Sequence, residues 1–403
     1  MLAAREIILR LDQAQEHRVL SHDELDIRKS LKAQCLGLAS LERTIARQRA
    51  RVLHLHDGDA NTRYFHLVAR GLCRRKRISS IVDGERLAIL HNDMEQIMLN
   101  YFCGLMGAQV ERANGIDIAA LGLPLVNSEL LDMPFTQEEV WNVVKDLPPD
   151  KAQGPDGFTG KFYQTGWPII KNDVMLAVNA FLTLNRSNLG CLNSALIVLI
   201  AKKPDAAAAK DYRPITLVHS FSKLVSKLLA NRLAPQLATL IQANQSAFIR
   251  NRSILDNFKY VQRAAVLLRK KKIPKVLLKL DISKAFDTLS WSFLFEALEA
   301  YGFSTNWRGW ISTLLRTATS RILLNGQPGP IIQHRRGVRQ GDPLSPMLFI
   351  LDMDVLNRLF QKAADVGDLS PLGNRAIKFH CSIYADDVIL FMHPSHQQAW
   401  AIK

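Results

Sequence analysis

Three aspartates bear the most chemistry. Asp386 and Asp387 are adjacent in "SIYADDVILF", and Asp281 ends the apolar run "KVLLKLD". An acid at the mouth of a buried strand is costly unless it is paired or metal-bound. Carboxylates brought together at neighbouring strand ends would repel one another, raise one another's pKa and need a cation to stay ionised together. Hard oxygen donors of this kind suit Mg²⁺, held by one or two carboxylates plus substrate phosphates. Each group also has a plainer reading, Asp281 as a helix cap and the Asp-Asp pair as a solvated turn. Adjacent residues on a straight strand point to opposite faces, so the pair can act jointly only at a turn. A hairpin is therefore predicted with "SIY" and "VILF" as arms, "ADD" at the tip and small Ala385 allowing a bound chain close approach.

Further stretches have chemistry of their own. "RRGVRQGDPLSPMLFILDMDVL", residues 335–356, reads as a loop feeding an apolar helix from Ser345. Its backbone can come close to a substrate at Gly337 and Gly341, and Gln340 can hydrogen-bond a sugar or base. In "LIVLIAKKPDAAAAKDYRPITLVHSFSKLVSKLLANRL", residues 196–233, Lys202, Lys203 and Arg213 flank a strand turn. Cations so placed suit a triphosphate, although surface lysines are commonly just solvated. From Arg43 to Arg77 ten Lys or Arg face only Asp57 and Asp59. Within that span "DGDANTRYFHLVARGLCRRKR" interleaves aromatics with cations, which suits phosphate neutralisation plus base stacking; the bland alternative is a solvated helix face.

The positioning elements follow from pattern and composition. The 403 residues exceed one typical domain, with 48% hydrophobic and 22% charged residues, ordinary for a globular protein. A net charge of +15 favours a polyanionic partner such as nucleic acid over a membrane surface. Cys35, Cys73, Cys103, Cys191 and Cys381 form no C-x-x-C pair, so neither a disulfide framework nor a zinc site is signalled. The N-terminus is too often interrupted by charge to be a signal peptide or membrane span, which points to the nucleus or cytoplasm. Residues 1–55 carry apolar groups at helical spacing and no proline, predicting a long helix or helical hairpin. "ISSIVDGERL" predicts a hairpin turning at Asp83-Gly84, and residues 104–133, low in charge, a linker. Thr136 with Glu139 opens a helix as a capping box. Helices and short strands then alternate, as in an α+β domain.

Together these stretches resemble the reverse transcriptases of non-LTR (LINE-type) retrotransposons, in the form common in plants. The match runs over roughly residues 135–403 with motifs in family order: "KAQGPDGF", "DYRPITLVHSFSKLVSKLLANRL", "NQSAFIRNRSILDN", "LKLDISKAFDTLSW", "GVRQGDPLSPMLFIL" and "YADDVILF". "DGDANTRYFH" with "RRKRISSIVDG" is similar to the connector that precedes the polymerase in such elements. The resemblance implies an α+β right-hand polymerase with fingers and a partial palm, an antiparallel sheet with packed helices, over 134–403. It implies a helical basic connector over 1–103 before the 104–133 linker.

The resemblance also implies roles. Asp281 and Asp386 would hold two Mg²⁺ ions, with Asp387 completing the set. Lys202 and Arg213 would grip the triphosphate of a dNTP. Phe286 would lie beneath the sugar and exclude a 2′-hydroxyl, while Gln340 and Gly341 would adjoin the incoming nucleotide. "GPDG" at 154–157 and "RNRSILDN" with Arg252 would follow an RNA template, and Arg74, Arg75, Lys76 and Arg77 would contact nucleic acid. The expected activity is addition of dNTPs to the 3′-hydroxyl of a DNA primer. With the chain stopping at Lys403 the thumb is expected to be absent, and with the first 130 residues lacking the length and acidic/His pattern for it, so is an N-terminal endonuclease, as in a fragment. The alternative is an inactive remnant that only binds nucleic acid.

Overall fold

The structure, a computed structural model, describes residues 2–50, 67–68, 70–71, 74, 76–108, 115–149, 151–183, 189–270, 272, 274–372 and 377–402. By contact the chain divides into Met1–Ser79 and Ser80–Lys403. In the first unit α1 (Leu2–His17) packs on α2 (His22–Ala50). Ser21 and Glu24 form reciprocal backbone bonds at the start of α2, and the Arg18 guanidinium donates to both Glu24 oxygens at 2.7 and 2.6 Å. The helical hairpin read from periodicity is thus present as far as Ala50. Arg74, Lys76 and Arg77 are exposed, whereas Arg75 and most of the basic and aromatic stretch before it lie outside the described residues.

The second unit begins with the small hairpin β1 (Ile81–Asp83) and β2 (Arg86–Ala88). Asp83 closes the ladder opposite Arg86, so the turn falls on Gly84-Glu85, one residue later than predicted, with Gly84 at φ 62°. The helices that follow and matter to the site are α3 (His91–Phe102), α4 (Gln137–Asp146), α5 (Gly160–Leu182), α6 (Ser220–Leu233), α7 (Ile254–Lys270), α8 (Trp291–Ala300), α9 (Thr305–Arg316) and α10 (Ser345–Asp365). One sheet has the order β4-β3-β6-β7, built from β3 (Ser194–Ala201), β4 (Tyr212–Val218), β6 (Thr319–Leu324) and β7 (Gln327–Gln333). The other, antiparallel throughout, has the order β5-β9-β8, from β5 (Val276–Asp281), β8 (Cys381–Tyr384) and β9 (Asp387–Met392). A mixed α+β fold is therefore what forms.

One continuous core joins α4, α5, α6, α8 and α10 to the inner face of the second sheet, through Val144, Trp167, Leu228, Leu298, Phe349 and Leu390 among others. The predicted capping box opens α4, with Glu139 N donating to Thr136 Oγ1 at 3.1 Å and Thr136 N to Glu139 Oε2 at 2.9 Å. Glu139 also receives Arg232 at 2.9 Å. That arginine lies 3.9 Å over the Phe135 ring and donates to the carbonyls of Leu131, Met133 and Pro134.

Those bonds bear on the expected linker. The described part of 104–133 supplies Ile118, Leu123, Val126 and Leu131 to the main core, and Val126 N bonds to Tyr301 O at 2.8 Å. Low charge there reflects burial, and the boundary between units lies at Ser80 instead. Among the described residues no helix is long and apolar enough to cross a membrane.

Arg339 ties the loop after β7 to the starts of β3 and β6. Its side chain lies in the core, donating to Asn193 Oδ1 at 2.6 Å, Asn193 O at 2.5 Å and Thr319 O at 3.1 Å, with no salt-bridge partner among the described residues. Burial pushes its pKa down to about 10, with Asp342 acting the other way. Removing the guanidinium would strand the buried Asn193 Oδ1 and take a charged donor from Thr319 O and from Asn193 O, which keeps only Thr319 N at 3.3 Å. Arg339→Ala is expected to lower unfolding free energy by about 3 kcal/mol, read as a shifted urea midpoint at unchanged slope.

Candidate active site

The register of β5 on β9 sets the carboxylates. Leu280 pairs with Val388 and Leu278 with Leu390; these face the main core. The alternate positions face the other way, so Asp281 stands directly opposite Asp387, on one face of the sheet. Tyr384 is the partner of Asp387 on β8, leaving Ala385 and Asp386 as the two-residue turn. The predicted hairpin is present, with Asp387 opening the second arm. Ala385 has φ 54°, the left-handed region that favours glycine, and is buried. Asp386 is half-buried, while Asp281 and Asp387 are exposed.

Such a juxtaposition demands positive charge. Lys279, two residues before Asp281 and on the same face, places Nζ 3.0 Å from Asp387 Oδ1. Its own pKa is raised, chiefly by that hydrogen bond and charge, and further by Asp281. As placed, no three His, Cys, Asp or Glu side chains among the described residues converge as a metal-ligand cluster. The donor set nonetheless fits a hard divalent cation: exposed carboxylates face each other across one ladder step, a third sits in the adjoining turn, and an ammonium already supplies part of the missing charge.

The loop after β7 is sutured to the segment that follows Asp281. Gly337 N donates to Leu289 O at 2.8 Å and Val338 N to Phe286 O at 2.7 Å, while Trp291 Nε1 donates to Gly337 O at 2.8 Å. A Cβ on Gly337 would lie 2.3 Å from Asp287 O, so only glycine permits this suture. Gly341 has φ 111°, and Thr216 N on β4 bonds to Gln340 O at 2.9 Å. The loop therefore spans from the segment after β5 to β4. Phe286 is half-buried, stacked on Phe349 at 4.2 Å and edge-on to Phe248 at 6.4 Å.

The cations sort by their partners. Lys203 is taken up by Asp211 at 3.6 Å and Asp205 at 3.9 Å. Lys202 donates to Lys210 O at 2.8 Å and lies near enough to act on Asp287. Arg213 is exposed on β4 and has no ion pair among the described residues. Arg252 differs from expectation: its terminal nitrogens donate to the carbonyls of Gln242, Gln245, Ala238 and Ile241 at 2.7 to 3.0 Å, so those donors fasten a loop and are not open to a phosphate. The "GPDG" loop is pinned by Asp156, whose Oδ2 accepts from Ser220 N at 2.8 Å and from the Ser220 hydroxyl. Beside it Lys151 and Lys223 share a cavity with Gln153, Thr216 and Gly341. Burial, and then Lys151, pushes the Lys223 pKa down, with Asp342 opposing.

Asp287, Lys284, Lys151 and Lys223 are charged groups in this region that the motifs did not single out. A second acid six residues after Asp281 in "LDISKAFD" was the available signal for the first. Asp287 is 5% exposed and accepts from Gln340 Nε2 at 3.1 Å. Burial pushes its pKa up to about 6, against smaller pulls from Gln340, Lys284 and Lys202. A carboxyl raised above the ~3.9 of an unfolded chain folds best protonated; its contribution is whole below about pH 4 and is lost as pH rises through about 6. Asp287→Asn keeps an oxygen for Gln340 and cannot ionise. Relative to the unchanged chain it is expected to gain roughly 2–3 kcal/mol between pH 4 and pH 7, read from denaturation at both values.

Known proteins are similar to this chain in sequence. The family described as "Reverse transcriptase (RNA-dependent DNA polymerase)" matches residues 200–402. The chain is 29% identical over 350 residues, 85% of its length, to a Xenopus laevis protein, "Transposon TX1 uncharacterized 149 kDa protein", of which this covers 26%. It is 27% identical over 272 residues, 66% of its length, to the Drosophila melanogaster "Retrovirus-related Pol polyprotein from type-2 retrotransposable element R2DM", of which this covers 25%. A Nasonia vitripennis Pol polyprotein from a type-1 element R2 is 29% identical over 240 residues, 59% of this chain and 22% of that one. The chain thus spans about a quarter of the length of these curated relatives. With Asp281, Asp386 and Asp387 on one hairpin-edged sheet and the family match running through all three, the chain belongs to the reverse transcriptase (RNA-dependent DNA polymerase) family.

Proposed function

We propose that this chain is the fingers and palm portion of the RNA-directed DNA polymerase of a LINE-type, non-LTR retrotransposon, extending a DNA primer on an RNA template. The observation that carries this reading is the β5–β9 register, which sets Asp281 opposite Asp387 with Asp386 in the adjoining turn. The relatives named for transposon TX1 and element R2DM support the class of element.

Each residue has a role in that reaction. Asp281 and Asp386 hold the divalent cations, Asp387 adds to the local negative charge, and Lys279 balances that charge on Asp387. Mg²⁺ bound there would supply Lewis-acid stabilisation of charge on the reacting phosphate and primer oxygens. Lys202 and Arg213, at the ends of β3 and β4 where Ile200 pairs with Arg213, meet the triphosphate. Phe286, fixed between Phe349 and Phe248, forms the floor under the sugar and selects dNTPs by excluding a 2′-hydroxyl. Asp287 holds the Gln340 amide, so Gln340 orients the nucleotide from a fixed side chain, with Gly341 beside it. Lys151 and Lys223, cationic and without an ion pair among the described residues, take template phosphates beside the "GPDG" loop.

Two measurements test this. Primer extension on an RNA template with Mg²⁺ and dNTPs is expected to fall by about 100-fold or more in Asp386→Ala and in Asp281→Asn, the scale of losing several kcal/mol of charge stabilisation. Equal incorporation by Asp386→Ala and the unchanged chain removes the assigned role of Asp386; RNA binding with no incorporation by the unchanged chain leaves a binding remnant. Lys151→Gln and Lys223→Gln are each expected to reduce the salt slope of single-stranded RNA affinity by about 0.7.

A further inference from the structure

The turn that presents Asp386 is held by a side chain from 140 residues away. The hairpin ladder ends at the Tyr384–Asp387 pair, so it provides nothing for the backbone N–H and C=O of Ala385, which is 7% exposed. Both groups face the Gln245 amide. Gln245 Oε1 accepts from Ala385 N at 3.1 Å, and Nε2 points to Ala385 O at 3.5 Å. The same Oε1 accepts from Ala247 N at 3.0 Å, and two N–H groups on one atom identify it as the oxygen.

Gln245 is itself firmly seated. It is 1% exposed, and its backbone bridges to Ile383 as a parallel partner alongside β8. Ile383 N donates to Asn244 O at 2.9 Å and Ser246 N to Ile383 O at 3.3 Å. Arg252 grips the Gln245 carbonyl at 2.8 Å. Asn257 at the start of α7 donates to Asn244 O, Ser382 Oγ and Ile383 O at 2.7 to 3.1 Å.

We propose that Gln245 is a positioning residue for the catalytic turn: its buried amide holds Ala385 in the left-handed conformation and so fixes where the Asp386 carboxylate stands. An alanine at φ 54° is strained and persists only where its surroundings over-determine it. A primary amide meets the need because it sets an acceptor beside a donor, matching the N–H and C=O of one residue. Glutamate keeps the acceptor but turns a second oxygen toward the Ala385 carbonyl. Methionine, of similar length, supplies neither bond.

The functional half of this inference rests on reading Asp386 as a cation-holding carboxylate; the turn clamp does not. Hydrogen exchange at the Ala385 amide is therefore measured alongside primer extension in the full chain. Gln245→Met is expected to speed exchange at Ala385 about tenfold or more, with Val388 and Leu390 still protected, and to lower kcat about tenfold at nearly unchanged dNTP KM. Gln245→Glu is expected to keep Ala385 protected and recover part of the kcat, and it decides the matter if the Met variant does not fold. Wild-type exchange at Ala385 in Gln245→Met, or loss of its protection in Gln245→Glu, overturns the clamp. A kcat in Gln245→Met equal to that of the unchanged chain overturns its bearing on Asp386. No incorporation by any form, with the exchange pattern as expected, discards the catalytic reading of Asp386 and leaves the clamp standing.

Discussion

The constraint on which the site depends is a repulsion enforced by register. Asp281 and Asp387 are cross-strand partners, and like charges in that position oppose pairing. What overrules them is the inner face of the same strands, where Leu278 and Leu280 meet Leu390 and Val388 against the core. A one-residue slip would turn those leucines outward and drive Lys279 and Asp281 into the core, a far greater cost. Hydrophobic alternation therefore holds two acids together that electrostatics alone would separate. Lys279 relieves part of the repulsion from within the ladder, but exposed pairs of this kind contribute little to stability, so the site keeps its appetite for a cation.

The rest of the β5-β9-β8 sheet leaves that end open. On the outer face Phe391 is covered by Ala264 and Leu268 of α7, so the roof lies over the far end of β9 and stops short of Asp387, which is exposed. β8 is fastened from the opposite side by buried amides. Asn244 and Asn357 exchange hydrogen bonds at 2.7 and 2.8 Å, and Asn244 reaches Cys381 O at 3.0 Å. Asp354 binds Arg358 at 2.7 Å and Tyr301 at 2.9 Å. Buried polar networks of this sort are costly when incomplete and specify a single geometry when satisfied. Here they sit on the strand that leads into the turn, where geometry matters most.

Much of this was legible in the sequence because it depends on local patterns. The Thr136–Glu139 box, the hairpin at "ADD" and the α+β alternation all follow from spacing alone. What was not legible depends on long-range partners. Residues 104–133 read as a linker because uncharged segments without clear periodicity look like loop, yet Arg232, a hundred residues on, secures 131–134 to the core. Arg252 read as a phosphate ligand because a guanidinium in a basic motif has no visible partner until the chain folds four carbonyls around it. Lys202 and Lys203 are indistinguishable as neighbours, and only the positions of Asp205 and Asp211 show which is ion-paired. Gln245 was overlooked for the same reason, since its partner lies 140 residues later.

The placement of charge has a consequence for a polyanion. Lys151 and Lys223 line one cavity, while Lys202 and Lys284 surround the buried Asp287; the exposed acids lie at the end of a different sheet. Lysines attract phosphates, whereas bare carboxylates repel them. A nucleic-acid strand held by the lysines alone would meet unfavourable field at Asp281 and Asp387. Only when those acids are neutralised does the field become attractive along the whole path. Asp287 differs from the exposed acids, since burial raises its pKa to about 6 while Lys284 and Lys202 offset part of that shift. On the proposed function, a cation bound at the exposed acids and a polyanion held at the lysines would reinforce one another.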